Sequence, residues 1–261
     1  MERPVDLPHC LDWQAKLSEK YATDIDLSNN LDQVMNRISA AKQRARRSSE
    51  SVRLVAISKG QEAEKIVNAY DAGLRDFGEN RVHEALPKQE QLARYPAIRW
   101  HMVGHIQSRK ARRLVPGFDF VHSVDRLKIA RRLNDAAHDA QMNLAILLEC
   151  NVSGESTKQG WPLWKVADWD SSLTTIESVL NFSNLNVIGL MTMAPWTDDS
   201  ERIRAVFQRL SALRDFYAQQ LPGSWKELSM GMTDDFEIAI EEGATILRIG
   251  RAIFGARDLK T

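Results

Sequence analysis

The chain has 261 residues, of which 43% are hydrophobic and 27% are charged, and its 35 Lys and Arg balance 35 Asp and Glu to a net charge of zero. This length predicts one large α/β domain or two small domains. The neutral balance argues against a nucleic-acid-binding protein and against a binder of anionic membranes, because both classes carry a basic excess.

Cysteine content and the N-terminal sequence predict a cytoplasmic protein. Only Cys10 and Cys150 occur, which is too few for a disulfide framework and lacks the Cys-x-x-Cys spacing of redox or zinc sites. The N-terminus lacks a basic segment followed by an apolar one, and no apolar run approaches the roughly 18 residues that span a membrane. We therefore expect a protein of the reducing cytosol that is neither exported nor membrane-bound.

Residues 1–25 form a predicted N-terminal extension, which contains Pro4 and Pro8 and a short predicted helix over 11–21. A second helix is predicted from Ser28, a residue type that caps helix N-termini, to the basic segment 42–47, which suits a helix C-terminus. Apolar residues recur in this segment at a spacing of three or four. The predicted main domain comprises residues 26–261.

From residue 53 onward, short apolar runs alternate with helical patterns. The run 53–58 is nearly continuous and rich in branched residues, as expected for a strand covered on both faces of a parallel sheet. The predicted strands span 53–58, 75–78, 98–103, 118–122, 144–152, 186–191, 227–230 and 245–249, and the predicted helices span 62–72, 82–93, 108–114, 126–141, 163–181, 200–220 and 234–242. Eight alternating strands predict a single (β/α)8 barrel, of the α/β class, with an extra N-terminal helix.

A doubly wound open sheet is the alternative fold for this pattern. Two features favour the barrel. No Gly-x-Gly-x-x-Gly sequence follows the first strand, and no change in composition marks a second domain.

Barrel proteins place their sites on the loops that follow the strands, and polar residues stand at those positions here. Lys59 follows the first strand on the same side of the pleat as Val55 and Ile57. If that side is the barrel interior, desolvation lowers the pKa of the amine and favours a Schiff base with an aldehyde; otherwise Lys59 is a solvated loop lysine. Arg248 interrupts an apolar strand, where it either forms an internal ion pair or donates to a ligand acceptor such as a pyridine nitrogen or a carboxylate.

Two glycine-containing turns, 229–232 and 250–255, follow the seventh and eighth strands. Backbone N–H groups of these loops, together with a helix N-terminus, form the usual phosphate cradle of the barrel fold. Their paired placement favours a phosphate site over glycines that merely permit tight turns. Ser229 offers a hydroxyl group to the same site.

Four of the six histidines, His83, His101, His105 and His122, fall near predicted strand ends, which raises the alternative of a metal-dependent hydrolase. Residues four apart on a strand are separated by about 13 Å, so His101 and His105 cannot share a metal ion. We therefore predict no metal site and interpret these histidines as hydrogen-bonded or loop residues.

Taken together, the strand ends resemble those of the pyridoxal phosphate homeostasis protein family, the YggS/PROSC type, which shares the fold of the alanine racemase N-terminal barrel. The matching segments are 54–59, 77–80, 100–104 with 106–107, 151–155 with Lys158 and Gly160, 189–191, 228–232, and 248–250 with 252–255. The resemblance implies that Lys59 holds pyridoxal 5′-phosphate (PLP) as an internal aldimine, that Arg248 faces its pyridine nitrogen, and that Asn80 lies near its ring. It also implies that hydroxyl and backbone groups of five residues hold the phosphate: Ser229, Met230, Gly231, Ile249 and Gly250.

Two residues depart from the family pattern. Arg109 stands where the family usually has Asn, and Arg251 stands where Thr or Ser often follows the glycine after the eighth strand. Under this resemblance, the second change puts in doubt a side-chain hydroxyl contact to the phosphate, for which an arginine could substitute as a cation.

An arginine opposite the pyridine nitrogen keeps that nitrogen unprotonated, which makes the ring a weaker electron sink. The racemase relatives also use a tyrosine base from an additional β domain, whereas the four tyrosines here lie in predicted helices or helix ends and no residues remain for such a domain. We therefore predict a monomeric PLP carrier of intracellular PLP homeostasis that works without catalytic turnover, with PLP-dependent apo-enzymes as recipients. The alternatives are a fold-type III PLP enzyme, such as an amino-acid racemase or decarboxylase, and a lysine aldolase that uses Lys59 without a cofactor.

Overall fold

A computed structural model describes the backbone of residues 9–255 and the side chains of residues 26–255. Its strands are β1 (Arg53–Ile57), β2 (Asp76–Glu79), β3 (Arg99–Met102), β4 (Phe120–Val124), β5 (Leu144–Asn151), β6 (Trp161–Pro162), β7 (Leu185–Met191), β8 (Glu227–Ser229) and β9 (Ile246–Ile249). Eight of them form a closed parallel ring in the order β1-β2-β3-β4-β5-β7-β8-β9, with β9 pairing back onto β1. The short β6 pairs only with the end of β5. The predicted barrel is thus confirmed.

Helices follow the strands around the outside of this ring. They are α1 (His9–Arg44), α2 (Ala63–Asp71), α3 (Val82–Gln91), α4 (Ala111–Leu114), α5 (Leu127–Asp139), α6 (Trp169–Leu180), α7 (Ser200–Gln220), α8 (Phe236–Glu241) and α9 (Arg251–Phe254). Helix α7 has the bounds that the sequence predicts, because the carboxylate of Asp199 accepts the backbone N–H groups of Glu201 and Arg202 and so caps its start. Among the helices of residues 9–255, none is both long and apolar enough to cross a membrane.

Helix α1 differs from its prediction at its N-terminal end. It runs without a break from His9 to Arg44, so Ser28 lies inside the helix and does not cap it, and the segment 11–21 belongs to the same helix. The predicted boundary at residue 25 therefore falls within α1, and the division into an extension and a domain stays a prediction. Residues 1–8, with Pro4 and Pro8, lie outside the described residues.

Alternation along the strands separates two regions of the core. On β1, Leu54 and Ala56 pack in the shell between strands and helices, whereas Val55 points into the barrel. The interior apolar cluster is small and consists of Val55, Leu147, Met191 and Ile246, with Ile57 and Ile188 packed against it. Buried polar residues alternate with shell residues on four other strands, namely His101, His122, Ser229 and Arg248. The barrel interior is therefore partly polar.

The apolar stripe of α1 attaches this helix to α8 and α9. We expect Val34→Ala to lower the free energy of unfolding by about 2 kcal/mol, because Val34 is 1% exposed and its truncation leaves a cavity. Met35→Ala is the matched control, since Met35 is 48% exposed and should change stability little. Urea unfolding followed by circular dichroism measures both changes, and equal effects of the two variants would contradict this packing.

Candidate functional site

A cavity of about 260 Å³ lies at the carboxyl ends of β1, β8 and β9. Lys59, Arg248 and Gly250 line it from different parts of the chain, together with Ile57, Gln61, Met232, Thr233, Asp234, Arg251 and Gly255. Ile57 packs against the interior cluster, so the side of the pleat that the sequence assigns to Lys59 is the barrel side. The fold thus brings a primary amine and a guanidinium to one cavity.

The guanidinium of Arg248 is buried inside the barrel. Its Nη1 donates to Ser229 Oγ at 2.7 Å, and its Nη2 donates to the Thr192 carbonyl oxygen at 2.8 Å. Burial lowers the pKa of Arg248 to about 10, while Asp235 and Glu149 act in the opposite direction, so the group is a cation at neutral pH. Within the described residues no carboxylate forms an ion pair with it, which leaves neutral oxygens as its direct acceptors.

Ser229 faces the barrel interior and does not line the cavity. Its fully buried hydroxyl lies 2.8 Å from Nδ1 of His122 and accepts the bond from Arg248. In this structure the Ser229 hydroxyl holds Arg248, and its role as a phosphate donor stays a prediction.

The backbone of the two turns beside the cavity packs closely against neighbouring elements. Gly231 has a φ of +95°, and a Cβ atom there would lie 2.6 Å from Cβ of Ala239, so only glycine fits between the turn and α8. Met230 and Ile249 are buried beside this turn, and the N–H of Met230 donates to the Ile246 carbonyl oxygen. Helix α9 begins directly after Gly250, and its first residue, Arg251, lines the cavity.

The two departures from the family pattern lie in different surroundings. Arg251 lines the cavity and forms an ion pair with Asp234, and both side chains are exposed. Arg109 is exposed on the loop after β3 and does not line this cavity. With Lys59, Arg248 and Arg251 against Asp234, the charges that line the cavity are positive in sum.

Asn80 lines a different cavity, of about 390 Å³, between the loops that follow β2 and β3. The two loops touch, because a Cβ atom on Gly104 would lie 2.2 Å from the Asn80 carbonyl oxygen. The Asn80 Oδ1 atom is buried and has no hydrogen-bond partner among the described residues. The structure does not bring Asn80 into the cavity of Lys59, and its place beside a cofactor ring stays a prediction.

A partly buried ion pair fixes the backbone that precedes Lys59. Lys88, on α3, donates from Nζ to the Ser58 carbonyl oxygen at 2.9 Å and to Glu79 Oε1 at 2.7 Å. The Ser58 hydroxyl donates to the same carboxylate oxygen at 2.7 Å. These bonds join β1, β2 and α3 and fix the residue that precedes Lys59. No local sequence pattern points to Lys88, because its partners lie on other elements.

Two of the four histidines near strand ends are buried in the barrel. Nδ1 of His101 lies 2.9 Å from Nε2 of His122, and Nε2 of His101 lies 2.9 Å from Asp76 Oδ1. Burial lowers the pKa of His101 and lowers that of His122 further, so both rings are neutral at pH 7. Among the side chains that the structure describes, no group of three or more His, Cys, Asp and Glu could hold a metal ion.

Glu149, on β5, is an interior acid that the sequence analysis did not identify. Burial, with Asp125 adding to it, raises the pKa of its carboxyl group to about 7. Its Oε2 atom is buried without a hydrogen-bond partner among the described residues. Glu149 lies two residues after Leu147 on β5, and Leu147 points into the barrel. Alternation of side chains along the strand therefore predicts that Glu149 also points inward.

The barrel matches a known domain family. The family model described as alanine racemase, N-terminal domain, matches residues 29–258. An alanine racemase from Corynebacterium glutamicum has a TM-score of 0.62 at 15% sequence identity, with 90% of this chain and 61% of that chain covered, which shows a shared fold alone. The chain is thus a barrel of the alanine racemase N-terminal class.

Closer relatives define the family within this class. The pyridoxal phosphate homeostasis protein of Pseudomonas aeruginosa is 44% identical over 232 residues, which is 89% of this chain and 96% of the relative. That of Vibrio alginolyticus is 40% identical over 235 residues, covering 89% and 98%. A solved structure of PipY from Synechococcus elongatus with PLP bound has a TM-score of 0.76 at 33% identity, covering 88% and 100%. The chain therefore belongs to the pyridoxal phosphate homeostasis protein family.

The buried carboxyl of Glu149 should make the stability of the ligand-free protein depend on pH. Its pKa is 4.5 in the unfolded chain and about 7 in the folded state, so the unfolded state loses this proton first and stability falls as pH rises between these values. We expect Glu149→Gln to stabilise the fold by about 2 kcal/mol more at pH 8 than at pH 5.

Urea unfolding at the two pH values measures this difference. Glu177→Gln, on the exposed face of α6, is the matched control and should show no such dependence. A stabilisation by Glu149→Gln that is the same at both pH values would contradict the raised pKa.

Proposed function

We propose that the protein binds PLP in the 260 Å³ cavity and acts in PLP homeostasis, as the names of its relatives describe for them. The observation that carries this proposal is the convergence of Lys59, Arg248 and Gly250 on one cavity at the carboxyl ends of the strands. The solved relative PipY, 33% identical, contains PLP. The proposal places the protein in the cytoplasm, as a monomer that binds neither nucleic acid nor membranes.

The donors around the cavity match the three functional groups of PLP. When bound, PLP supplies an aldehyde, a phosphate and a pyridine nitrogen. Lys59 provides the amine that condenses with the aldehyde, and this condensation forms a C=N bond and releases water. Arg248 provides the donor for the pyridine nitrogen, since a guanidinium has five N–H groups and two of its nitrogens already hold Ser229 and Thr192.

The turns after β8 and β9 provide the phosphate cradle in this proposal. Gly231 and Gly250 allow close approach of the backbone, and Met230 and Ile249 fix the turns from the core. The positive sum of the charges that line the cavity favours a dianion. Ser229 contributes indirectly through Arg248, because its hydroxyl is bonded inside the barrel. Asn80 would approach the ring from the neighbouring cavity.

The proposed role is to hold and release the cofactor, with PLP-dependent apo-enzymes as recipients. Arg248 is a cation with a pKa of about 10, so it donates a hydrogen bond to the ring nitrogen without protonating it. None of the described tyrosines lines the cavity. Tyr217 is buried with its hydroxyl bonded to Ser172, and Tyr70 packs edge-on against Tyr95. These features support a carrier over the alternative of a fold-type III racemase or decarboxylase.

Titration with PLP tests the covalent site. We expect the wild-type protein to turn yellow, and borohydride reduction followed by peptide mass spectrometry to place the PLP mass on Lys59. Lys59→Ala should lose both signals, whereas the exposed Lys128→Ala, on α5, should keep them. A wild-type protein that is colourless and unchanged by PLP would overturn PLP binding, and a label on another lysine would overturn the assignment of Lys59.

An amino-acid panel tests the absence of turnover. We expect the PLP-loaded protein, incubated with separate D- and L-amino acids, to form neither the opposite enantiomer nor a decarboxylated amine above the level of Lys59→Ala. Chiral chromatography and amine analysis measure the products. Steady product formation that depends on Lys59 would favour the enzyme alternative.

A further inference from the structure

A continuous hydrogen-bonded chain crosses the barrel interior and ends at Arg248. It runs from Asp76 on β2 through His101 on β3 and His122 on β4 to Ser229 on β8. The successive heavy-atom distances are 2.9 Å, 2.9 Å and 2.8 Å, and the last bond, from Arg248 to Ser229, is 2.7 Å. Among its members only Arg248 lines the cavity of Lys59.

The outer end of the chain is anchored at the opposite end of the barrel. Arg99 donates from Nε and Nη2 to the two oxygens of Asp76 at 2.8 Å and 2.6 Å. Although burial of Asp76 acts to raise its pKa, hydrogen bonds from His101 and Arg99 lower it overall, so the carboxylate is ionised at neutral pH. An ionised carboxylate can only accept hydrogen bonds.

This fixed acceptor determines every proton position along the chain. His101 donates to Asp76 from Nε2, so its Nδ1, in a neutral ring, carries no hydrogen and accepts. His122 must then donate from Nε2 to His101, which leaves its own Nδ1 to accept the Ser229 hydroxyl hydrogen. The lone pairs of Ser229 are thereby turned toward Arg248 Nη1. All bonds run in one direction, from Arg248 to Asp76.

We propose that Asp76, His101, His122 and Ser229 form a positioning relay that fixes the orientation of the Arg248 guanidinium toward the bound cofactor. The relay gives the guanidinium one acceptor of fixed direction at Nη1, and the Thr192 carbonyl gives it a second at Nη2. Its remaining N–H groups are thus held toward the cavity. This inference rests on the proposed binding of PLP, but its members other than Arg248 act without touching the ligand.

Nuclear magnetic resonance of the ligand-free protein tests the proton order directly. Nitrogen–proton correlation spectra of the imidazoles should show both His101 and His122 as neutral Nε2–H tautomers at pH 7. An Nδ1–H tautomer or a protonated ring at either residue would overturn the relay, independently of any ligand.

Variants of His122 test the effect on the cofactor. His122→Leu should weaken PLP binding about tenfold and shift the absorbance maximum of the bound cofactor, since Ser229 then lacks its acceptor and Arg248 loses a defined partner. His122→Gln should restore much of both, because its amide offers one acceptor and one donor side by side. Ser123→Ala, a buried serine bonded to the Gly104 carbonyl oxygen, is the control and should leave both readouts unchanged.

The outcomes separate this inference from the proposed function. If the wild-type protein binds no PLP, the proposed function fails, and the role of the relay fails with it. If the wild-type protein binds PLP and His122→Leu, folded by circular dichroism, has the same affinity and spectrum, the relay alone is overturned. Should His122→Leu fail to fold, Ser229→Ala serves as the second relay variant and the same comparison applies.

Discussion

The structure depends on how the barrel accommodates the buried charge of Arg248. Placing an isolated ion in a protein interior costs several kcal/mol, and this cost is offset only when its hydrogen bonds are satisfied. Here Ser229 and Thr192 supply the direct acceptors. The more distant carboxyl groups of Asp235 and Glu149 also stabilise the cation. A cation at this position therefore requires a polar barrel interior.

That requirement explains why the apolar interior cluster is small. Among the described residues, Val55, Leu147, Met191 and Ile246 form it, and His101, His122, Ser229 and Arg248 share the interior and bond to one another. His101 and His122 are well suited to this environment, because a neutral imidazole both donates and accepts without adding a charge. Arg248, held in this way, lines the same cavity as Lys59.

Local sequence patterns predicted the barrel fold and the orientation of Lys59. Continuous apolar runs identified the eight barrel strands, and pleat alternation placed Lys59 on the side of Ile57. The predicted start of α1 at Ser28 was wrong, because serine favours helix N-termini but also occurs inside helices. The hydrogen bonds between polar residues in the barrel interior were not predicted, for a different reason. Which residues meet across the barrel depends on strand register and ring closure, and neither is encoded in the spacing along one strand.

The protons near the cavity bear on whether the site holds its ligand or transforms it. Catalysis at an amino-acid carbon needs a group that gives and takes a proton near neutral pH. Arg248 has a pKa far above neutrality, and the histidines behind it have lowered pKa values and both ring nitrogens engaged. Glu149 has a pKa of about 7, yet it does not line the cavity. In the proposed role of holding the cofactor, the buried groups behind Arg248 thus supply fixed donors in place of mobile protons.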